Sequence, residues 1–598
     1  MSLDEPAPLP RAALERALAM LEAGMPYKAA LEALLLELDD EAADRMMQLS
    51  REARGAWFLA LGQPESSPSC PRARALCIGN ALSGASVPLA QHGFEVTLLD
   101  SSPLRLRWAA ARNAALVSGV STTTILAERG APLPFDSGEF ELVVQDEALA
   151  PGMHDLTELA RVSRGELVLI ADNRLAYKRS TGRRGVFDVP NPLEFARRAL
   201  SGPERTLAGY RRLFARAGLA RPRCFALYPH ASEFTFLVGL DGAPPRLELG
   251  PKERANALKL LAHSLGLFPL LTPSFALVGA RSHSKPRWSR LLAAVESATG
   301  EHGAELEHMV ATRGNSAVLL TRSARGEQEG AWCVHIGLSA AQRGQMATHA
   351  GTLRRIASAH PRCPVPQLLF EGELEGVYLT VERRARGLTA PQLTGELAAT
   401  RRTLEDLSRA LAELATAPAR ELDAEGFERL LGSRFDVVSR HCGSAATRAA
   451  LAQLRTEARG EWLGLRFPLV LQHADLRSKH VQVERDGKLV ALLDWGSAEL
   501  ADLPGFDLLH HMLHERKQAE GLSSRAMWRL ALEPRHLRDF ERASLERYAT
   551  ALALPEGYFP ALAKIYPVVV AAMAERHWDY SRPRWIERQF GLGAERET

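Results

Sequence analysis

The sequence predicts two folded regions: an α/β domain built on a doubly wound parallel sheet, then a two-lobed α+β domain. Three observations predict this. The chain has 598 residues, more than one hydrophobic core accommodates. From Arg74 onward short apolar runs alternate with helical patterns, as parallel strands joined by crossover helices require. Beyond about residue 300 a few strand patterns give way, from about Ala390, to a mostly helical stretch. A hydrophobic fraction of 46% with 24% charged residues is ordinary for globular domains.

The elements follow in order. Between Pro10 and Leu61 the apolar residues Leu14, Ala17, Leu18 and Leu21, then Leu31, Leu34, Leu35 and Leu38, recur at helical spacing. Gly24-Met25-Pro26 separates them. Residues 1–65 are thus a helical segment, a cap on the next domain or an arm for a partner. Gly62 to Pro71 is a linker by composition. Strands are expected at Ala75–Ile78, Glu95–Leu99, Glu141–Val144, Leu167–Ile170 and Ser232–Val238, with a helix at Ser86–His92. This domain spans 70–285 and closes at the polar stretch Ala280–Pro286. The second domain, 300–590, opens with strands at Ala317–Leu320 and Trp332–Ile336. No internal repeat is visible.

Composition excludes several functions. A net charge of +3 supplies no field for nucleic acid or an anionic membrane surface. The six cysteines, Cys70, Cys77, Cys224, Cys333, Cys363 and Cys442, contain no CxxC pair. That argues against structural zinc and a disulfide framework, and fits a reducing cytoplasm. Met1 to Arg11 lacks the apolar core of a signal peptide. The best apolar run, Tyr566–Ala574, is too short for a membrane span.

The first expected strand ends in Ile78-Gly79-Asn80-Ala81-Leu82-Ser83-Gly84. Glycine there permits positive φ and close approach of a ligand. The second ends at Asp100, where a carboxylate can accept from ribose hydroxyls. Leu133-Pro134-Phe135 and Gly138-Glu139-Phe140-Glu141-Leu142-Val143 follow. In this order the motifs resemble the Rossmann-like class I S-adenosylmethionine-dependent methyltransferases, over residues 70 to 280. The resemblance implies S-adenosylmethionine as cofactor, with Gly79, Gly84, Asp100 and Glu128 against it. Two positions depart from the family: Cys77 stands where an acidic residue is usual, and Ala81 where the middle glycine is. Asp146, Glu147 and His154 lie where open sheets place ligands, as general-base candidates or plain loop residues. The segment Asp172-Asn173-Arg174 to Tyr177-Lys178 is similar to one in methyltransferases of glycan genes and hints at a sugar-like acceptor.

The second domain carries Gln472-His473-Ala474-Asp475-Leu476-Arg477-Ser478-Lys479-His480, then Leu493-Asp494-Trp495-Gly496. Phosphoryl transfer needs a carboxylate near the acceptor hydroxyl and another for the metal at the phosphates; the plainer reading makes both Asp475 and Asp494 turn residues. The pattern resembles the aminoglycoside-phosphotransferase (choline-kinase-like) kinases, whose loop runs His-Gly-Asp-Leu-x-x-x-Asn. The resemblance implies a protein-kinase-like fold and ATP with Mg. Asp475 would be the catalytic base beside His473, Asp494 and His480 the metal ligands, and Glu382, after Tyr378-Leu379-Thr380-Val381, part of the hinge bordering adenine. Asp507 would be a hydrogen-bonding buttress, and Arg313-Gly314-Asn315-Ser316 a glycine loop over the phosphates. Three family positions are replaced: His335 for the small-lobe Lys, His349 or Gly351 for the helix Glu, and His480 for the loop Asn.

The expected protein is a cytoplasmic methyltransferase fused to a phosphotransferase-like module, modifying a small hydroxylated molecule such as a sugar, glycan precursor or secondary metabolite. The alternative is a pair of degenerate modules acting as a binding or scaffold protein. Acceptor identity and oligomeric state are not written in the sequence.

Overall fold

The computed structural model describes residues 9–51, 73–119, 122–128, 130–146, 155–176, 205–228, 231, 234–241, 267–281, 287–311, 316–323, 331–338, 340–442, 444–576 and 585–591. Glu147, His154, Tyr177, Lys178, the Gly62–Pro71 linker and Arg313 to Asn315 lie outside them. Among the described residues, one compact unit runs through residue 343 and takes in 369–381; the other holds 344–368 and residues from 382.

The first unit begins with helices α1 (Arg11–Glu22), α2 (Tyr27–Leu36) and α3 (Asp40–Ser50). Leu14, Leu18 and Leu21 of α1 and Leu31 and Leu34 of α2 are buried, as their spacing requires. The Asp39 side chain accepts from the Ala42 amide and caps α3.

The sheet follows. Its strands are β1 (Arg74–Ile78), β2 (Glu95–Asp100), β3 (Thr122–Leu126), β4 (Phe140–Asp146), β5 (Ser163–Asp172), β6 (Arg223–Tyr228), β7 (Phe236–Gly239), β8 (Ser274–Ala280), β9 (Ala304–Ala311), β10 (Ser316–Ser323), β11 (Trp332–Gly337), β12 (Leu368–Leu374) and β13 (Val377–Arg383). Strands β3, β2, β1, β4 and β5 lie side by side and parallel. Helices α4 (Ser86–Gln91), α5 (Pro103–Leu116), α6 (Leu156–Val162) and α7 (Leu207–Arg216) connect or follow them. Side chains alternate between the faces: Ala75 joins Val96, Leu98 and Leu142 in one core, while Leu76 and Ile78 join Leu99, Val143 and Leu167 in another. A sheet with apolar cores on both faces is what continuous apolar strands demand.

The expected parallel series does not extend to the strand read at Ser232–Val238. That strand, β7, is antiparallel to β6, and β8 inserts antiparallel between β5 and β6. The β6–β7 link is a short one, and only antiparallel strands can be joined without a crossover. Strand β8, Ser-Phe-Ala-Leu-Val-Gly-Ala, is buried on both faces and shows no alternation to read.

The sheet does not stop at β7. Strand β9 pairs antiparallel with it, and the order continues β9, β10, β11, β13, β12, giving thirteen described strands. The expected small-lobe strands at 317–320 and 332–336 lie in β10 and β11. Helix α8 (Arg287–Thr299) buries Leu291, Leu292 and Val295 in the same core as Met309, Leu319, Trp332, Val334 and Leu379. Pairing β7 with β9 covers two edges that would otherwise expose unpaired amides.

The second unit is mostly helical. Its helices are α9 (Ala340–Ala359), α10 (Leu397–Ala412), α11 (Ser433–Arg440), α12 (Ala445–Trp462), α13 (Phe506–Glu520), α14 (Ser524–Leu532), α15 (Asp539–Leu552), α16 (Tyr558–Arg576) and α17 (Trp585–Phe590). Short strands β14 (Leu388–Thr389), β18 (Val481–Val483) and β19 (Leu489–Leu492) form one sheet. β15 (Arg420–Glu421) pairs with β16 (Arg466–Phe467), and β17 (Val470–Gln472) with β20 (Glu499–Asp502). One core holds Leu407, Phe427, Trp462, Trp495, Phe506 and Leu513. The apolar run Tyr566–Ala574 lies in α16, with Tyr566, Val568 and Val569 packed into that core. No helix among the described residues is long and apolar enough to cross a membrane.

Candidate functional site

Each unit holds one cluster that the motifs single out. In the first unit the turn after β1 has the predicted backbone: Gly79 sits at φ +149, a conformation that favours glycine. A small cavity of about 40 Å³ lies beside it, lined by Gly79, Asn80, Ala81, Ser83, Cys77 and Asp146. As bounded by the described residues, that is room for a few waters and not for a nucleoside.

The carboxylate meant for a ribose is already engaged. Asp100 is fully buried. Its Oδ2 accepts from the Ala81 amide at 2.8 Å and its Oδ1 from the Ser102 amide at 2.9 Å. Arg105 forks onto both oxygens, its Nε 2.9 Å from Oδ2 and its Nη2 on Oδ1. Two amides and a bidentate guanidinium use the favourable lone-pair directions of a carboxylate.

Gly84 serves packing. A Cβ there would stand 2.3 Å from the Ser50 carbonyl oxygen, and its amide donates to Leu49 O at 2.7 Å. The glycine lets the end of α3 close onto the turn. Glu128 is exposed beyond β3 and does not line the cavity. Burial pushes the Cys77 thiol up to about 12, so it brings no charge to the turn. Downstream, Asp172 accepts from Ser274 Oγ, and Asn173 donates to the carbonyls of Leu270 and Thr272. These polar groups anchor backbone.

The second unit is arranged differently. The loop after β17 and the turn after β19 are tied together by two histidines. His473 is fully buried; its Nε2 donates to Leu493 O at 2.7 Å, and its Nδ1 accepts the Asp475 amide at 3.3 Å. One imidazole thus spans the backbone beside both expected carboxylates. Burial lowers its pKa and the nearby carboxylates only partly oppose this, so it stays neutral, as this bonding needs. His473 positions the two acids and is out of reach of a substrate. The His480 ring stacks on it, centroids 5.7 Å apart. His480 Nδ1 lies 2.6 Å from the Asp475 carbonyl oxygen. A carbonyl only accepts, so Nδ1 carries a proton, and in the neutral ring Nε2 keeps its lone pair. That nitrogen faces Asp494 Oδ2 at 3.4 Å. Burial pulls His480 down to about 4, although Asp494 and Asp475 resist this.

The backbone is held in unusual shapes. Ala474 sits at φ +66 and Asp494 at φ +63, each costing about 1–3 kcal/mol and persisting because the surroundings dictate it. Asp507, at the first turn of α13, imposes the first: its carboxylate accepts from the His473 amide at 2.6 Å and the Ala474 amide at 3.0 Å. It is the expected buttress. Burial drives Asp507 up to about 7, with the two amides opposing. The second is held from α9. His349 Nδ1 accepts the Trp495 amide at 2.9 Å, so its Nε2 carries the proton and donates to Glu382. Glu382 is buried, its carboxylate turned onto His349, so at the expected hinge only its backbone is left to meet a ligand.

Asp475 and Asp494 keep access to solvent. The Asp475 side chain is 23% exposed and paired with Arg477; burial raises its pKa, but Arg477 and His480 outweigh this and hold it below the ordinary range. Asp494 is 60% exposed. Burial opposes its ionisation too, and the surrounding imidazoles, His480 foremost, bring it below the ordinary range. Asp502 is paired with Arg434. His335, on β11, faces Cys333 Sγ at 3.2 Å. The sequence reading missed Arg105 as the partner of Asp100 and His349 as the anchor of the Asp494 turn. The first was visible as an i,i+5 pair across a helix start; the second only as a histidine in a helix.

Residues 312–554 match the model of the phosphotransferase enzyme family. No curated protein matches the chain in sequence. Among solved structures, the aminoglycoside phosphotransferase APH(3'')-Id of Streptomyces rimosus is 16% identical, covering 47% of this chain and 98% of its own, with a TM-score of 0.30. The aminoglycoside 2'-phosphotransferase-IIIa in its GDP complex is 15% identical over 51% of this chain and 96% of its own, with a TM-score of 0.34. A chain of the Haloferax volcanii complex between the Trm112 methyltransferase activator and the putative methyltransferase is 16% identical over 41% of this chain and 95% of its own, with a TM-score of 0.24. Likenesses this distant assign no chemistry. The family match makes residues 312–554 a phosphotransferase-family domain with the kinase-like fold.

Proposed function

We propose that this domain transfers a phosphoryl group from ATP to a hydroxyl of a small molecule. One observation carries the reading: His473 ties the backbone at Asp475 to the backbone at Asp494, so two ionised carboxylates are fixed together beside solvent. Asp475 is the base that takes the acceptor's proton. Asp494 and His480 present an oxygen and a nitrogen lone pair toward one point, a donor set that fits a divalent cation. Such a cation supplies charge neutralisation at the phosphates. His473, His349 and Asp507 hold the geometry. Arg477, on Asp475, is placed to meet the transferred phosphate or the acceptor.

The test is transfer of labelled γ-phosphate to a small-molecule extract. The full chain should label an acceptor with Mg²⁺ or Mn²⁺ present, and Asp475→Asn should slow labelling about 10²- to 10⁴-fold. No labelling with either cation would sink the proposal.

Methyl transfer finds less support. The parallel strand order and the turn at Gly79 suit it, but the ribose position of Asp100 is taken by Arg105 and the cavity is small. S-adenosylmethionine does not fit these residues as they stand. We read the doubly wound unit as a scaffold whose sheet and core continue into β9–β13. Titration calorimetry should show no saturable S-adenosylmethionine binding; binding that Asp100→Ala abolishes would restore the methyltransferase reading.

A further inference from the structure

Resting on the phosphotransferase reading, we propose that the metal position of this domain is built for a transition-metal cation, Mn²⁺ in preference to Mg²⁺, with His480 Nε2 as a direct ligand. The loop residue facing Asp494 is an imidazole, and its tautomer is fixed by its surroundings. Nδ1 is committed to the Asp475 carbonyl at 2.6 Å, so in the neutral ring Nε2 presents its lone pair. Asp494 Oδ2, which can only accept, lies 3.4 Å away. In the neutral ring the two face each other as acceptors, and a cation between them satisfies both. Adjacent ligands on an octahedral cation with bonds of about 2.1 Å stand about 3 Å apart, so both atoms reach one ion with a shift of a few tenths of an ångström.

The ring cannot easily turn away. His480 is 5% exposed, stacked on His473, and held at Nδ1. A buried nitrogen lone pair aimed at a half-open carboxylate is a poor bargain for Mg²⁺, which takes oxygen ligands and gives up water reluctantly. Imidazole suits Mn²⁺ and the later first-row cations. The arrangement behind the first ligands fits the same purpose: the other ring nitrogen is bonded to a carbonyl, as a metal-ligating histidine requires, and the Asp494 turn is pinned by His349 through the Trp495 amide.

The experiment uses the full chain with ADP and either Mn²⁺ or Mg²⁺. Mn²⁺ affinity is read by electron paramagnetic resonance, Mg²⁺ affinity by its competition with Mn²⁺, and direct ligation by spin-echo modulation from a bound imidazole ¹⁴N. Mn²⁺ should bind at least about 10-fold more tightly than Mg²⁺, and His480→Asn should erase both that preference and the ¹⁴N signal. The wild-type ¹⁴N signature does not depend on the variant folding. Equal or tighter Mg²⁺ binding without the ¹⁴N signature would overturn the proposal and leave phosphotransfer standing. Failure of both cations to bind would overturn both.

Discussion

Asp100 and Asp494 stand at matching places in two motifs, each an acidic residue at the end of a strand, and the structure treats them in opposite ways. Asp100 is fully buried, with two amides and a guanidinium on its oxygens. Asp494 is 60% exposed, and the nitrogen facing it, His480 Nε2, stands 3.4 Å away. A carboxylate serves a ligand only through lone pairs its own protein leaves unused. The first has spent them on the turn; the second has kept them.

Exchanging each acid for alanine breaks the comparison most directly. Asp494→Ala should lower phosphotransfer about 10³-fold while costing only about 1 kcal/mol of unfolding free energy, because alanine suits the left-handed backbone there less well than aspartate. Asp100→Ala should do the reverse. It strands two amides and Arg105, at a cost of about 3 kcal/mol, the low end for a broken buried pair because Arg105 keeps some solvent. Denaturant titration and initial rates on both variants decide; equal loss of rate in both would mean that the two acids share a role.

The glycine turn sharpens the contrast. Gly84→Ala puts a Cβ against the Ser50 carbonyl and should destabilise by about 1–3 kcal/mol. A variant as stable as wild type in urea would return Gly84 to the ligand-binding reading.

In the second unit the buttress gives a pH signature. Asp507 is raised to about 7 in the folded protein, against about 3.9 when unfolded. The folded state therefore holds the proton more tightly. The group's contribution is fully present below the unfolded value and is lost as pH rises through about 7. Wild type should lose up to about 1.4 kcal/mol per pH unit relative to Asp507→Asn across that interval. Parallel stability curves for the two would show that Asp507 stays ionised.

The smallest effect has the opposite sign. Ala474 sits where φ is +66, the place of glycine in the family loop, and Ala474→Gly should stabilise by about 1 kcal/mol. A lower melting temperature would mean that the Ala474 methyl is worth more to the packing than its strain costs.

Much was legible in the residues alone. Alternating apolar runs gave β1, β2, β4 and β5, the leucine spacing gave α1 and α2, and the loop and turn motif gave Asp475 and Asp494 their pairing. The buttress at Asp507 was readable too, since an acid at a helix start is free to bond a neighbouring loop. Strands β3, β6, β8 and β9 were not read. β8 is uniformly apolar and β3 mostly threonine, so neither shows the alternation that marks a half-buried strand.

Local residue patterns name the side chains that can do chemistry here: acids at two strand ends, histidines at family positions of other residues, and a turn chemistry that places them. Tertiary structure decided which of those acids remain available. Whether a lone pair is spent depends on atoms brought from elsewhere, such as Arg105 across a helix start or the Asp475 carbonyl onto His480, and hydrogen bonds are satisfied by proximity in space. The same holds for the thirteen-stranded sheet. Each edge was written locally, but the pairing of β7 with β9 rests on two chain segments meeting, which no single stretch of sequence records.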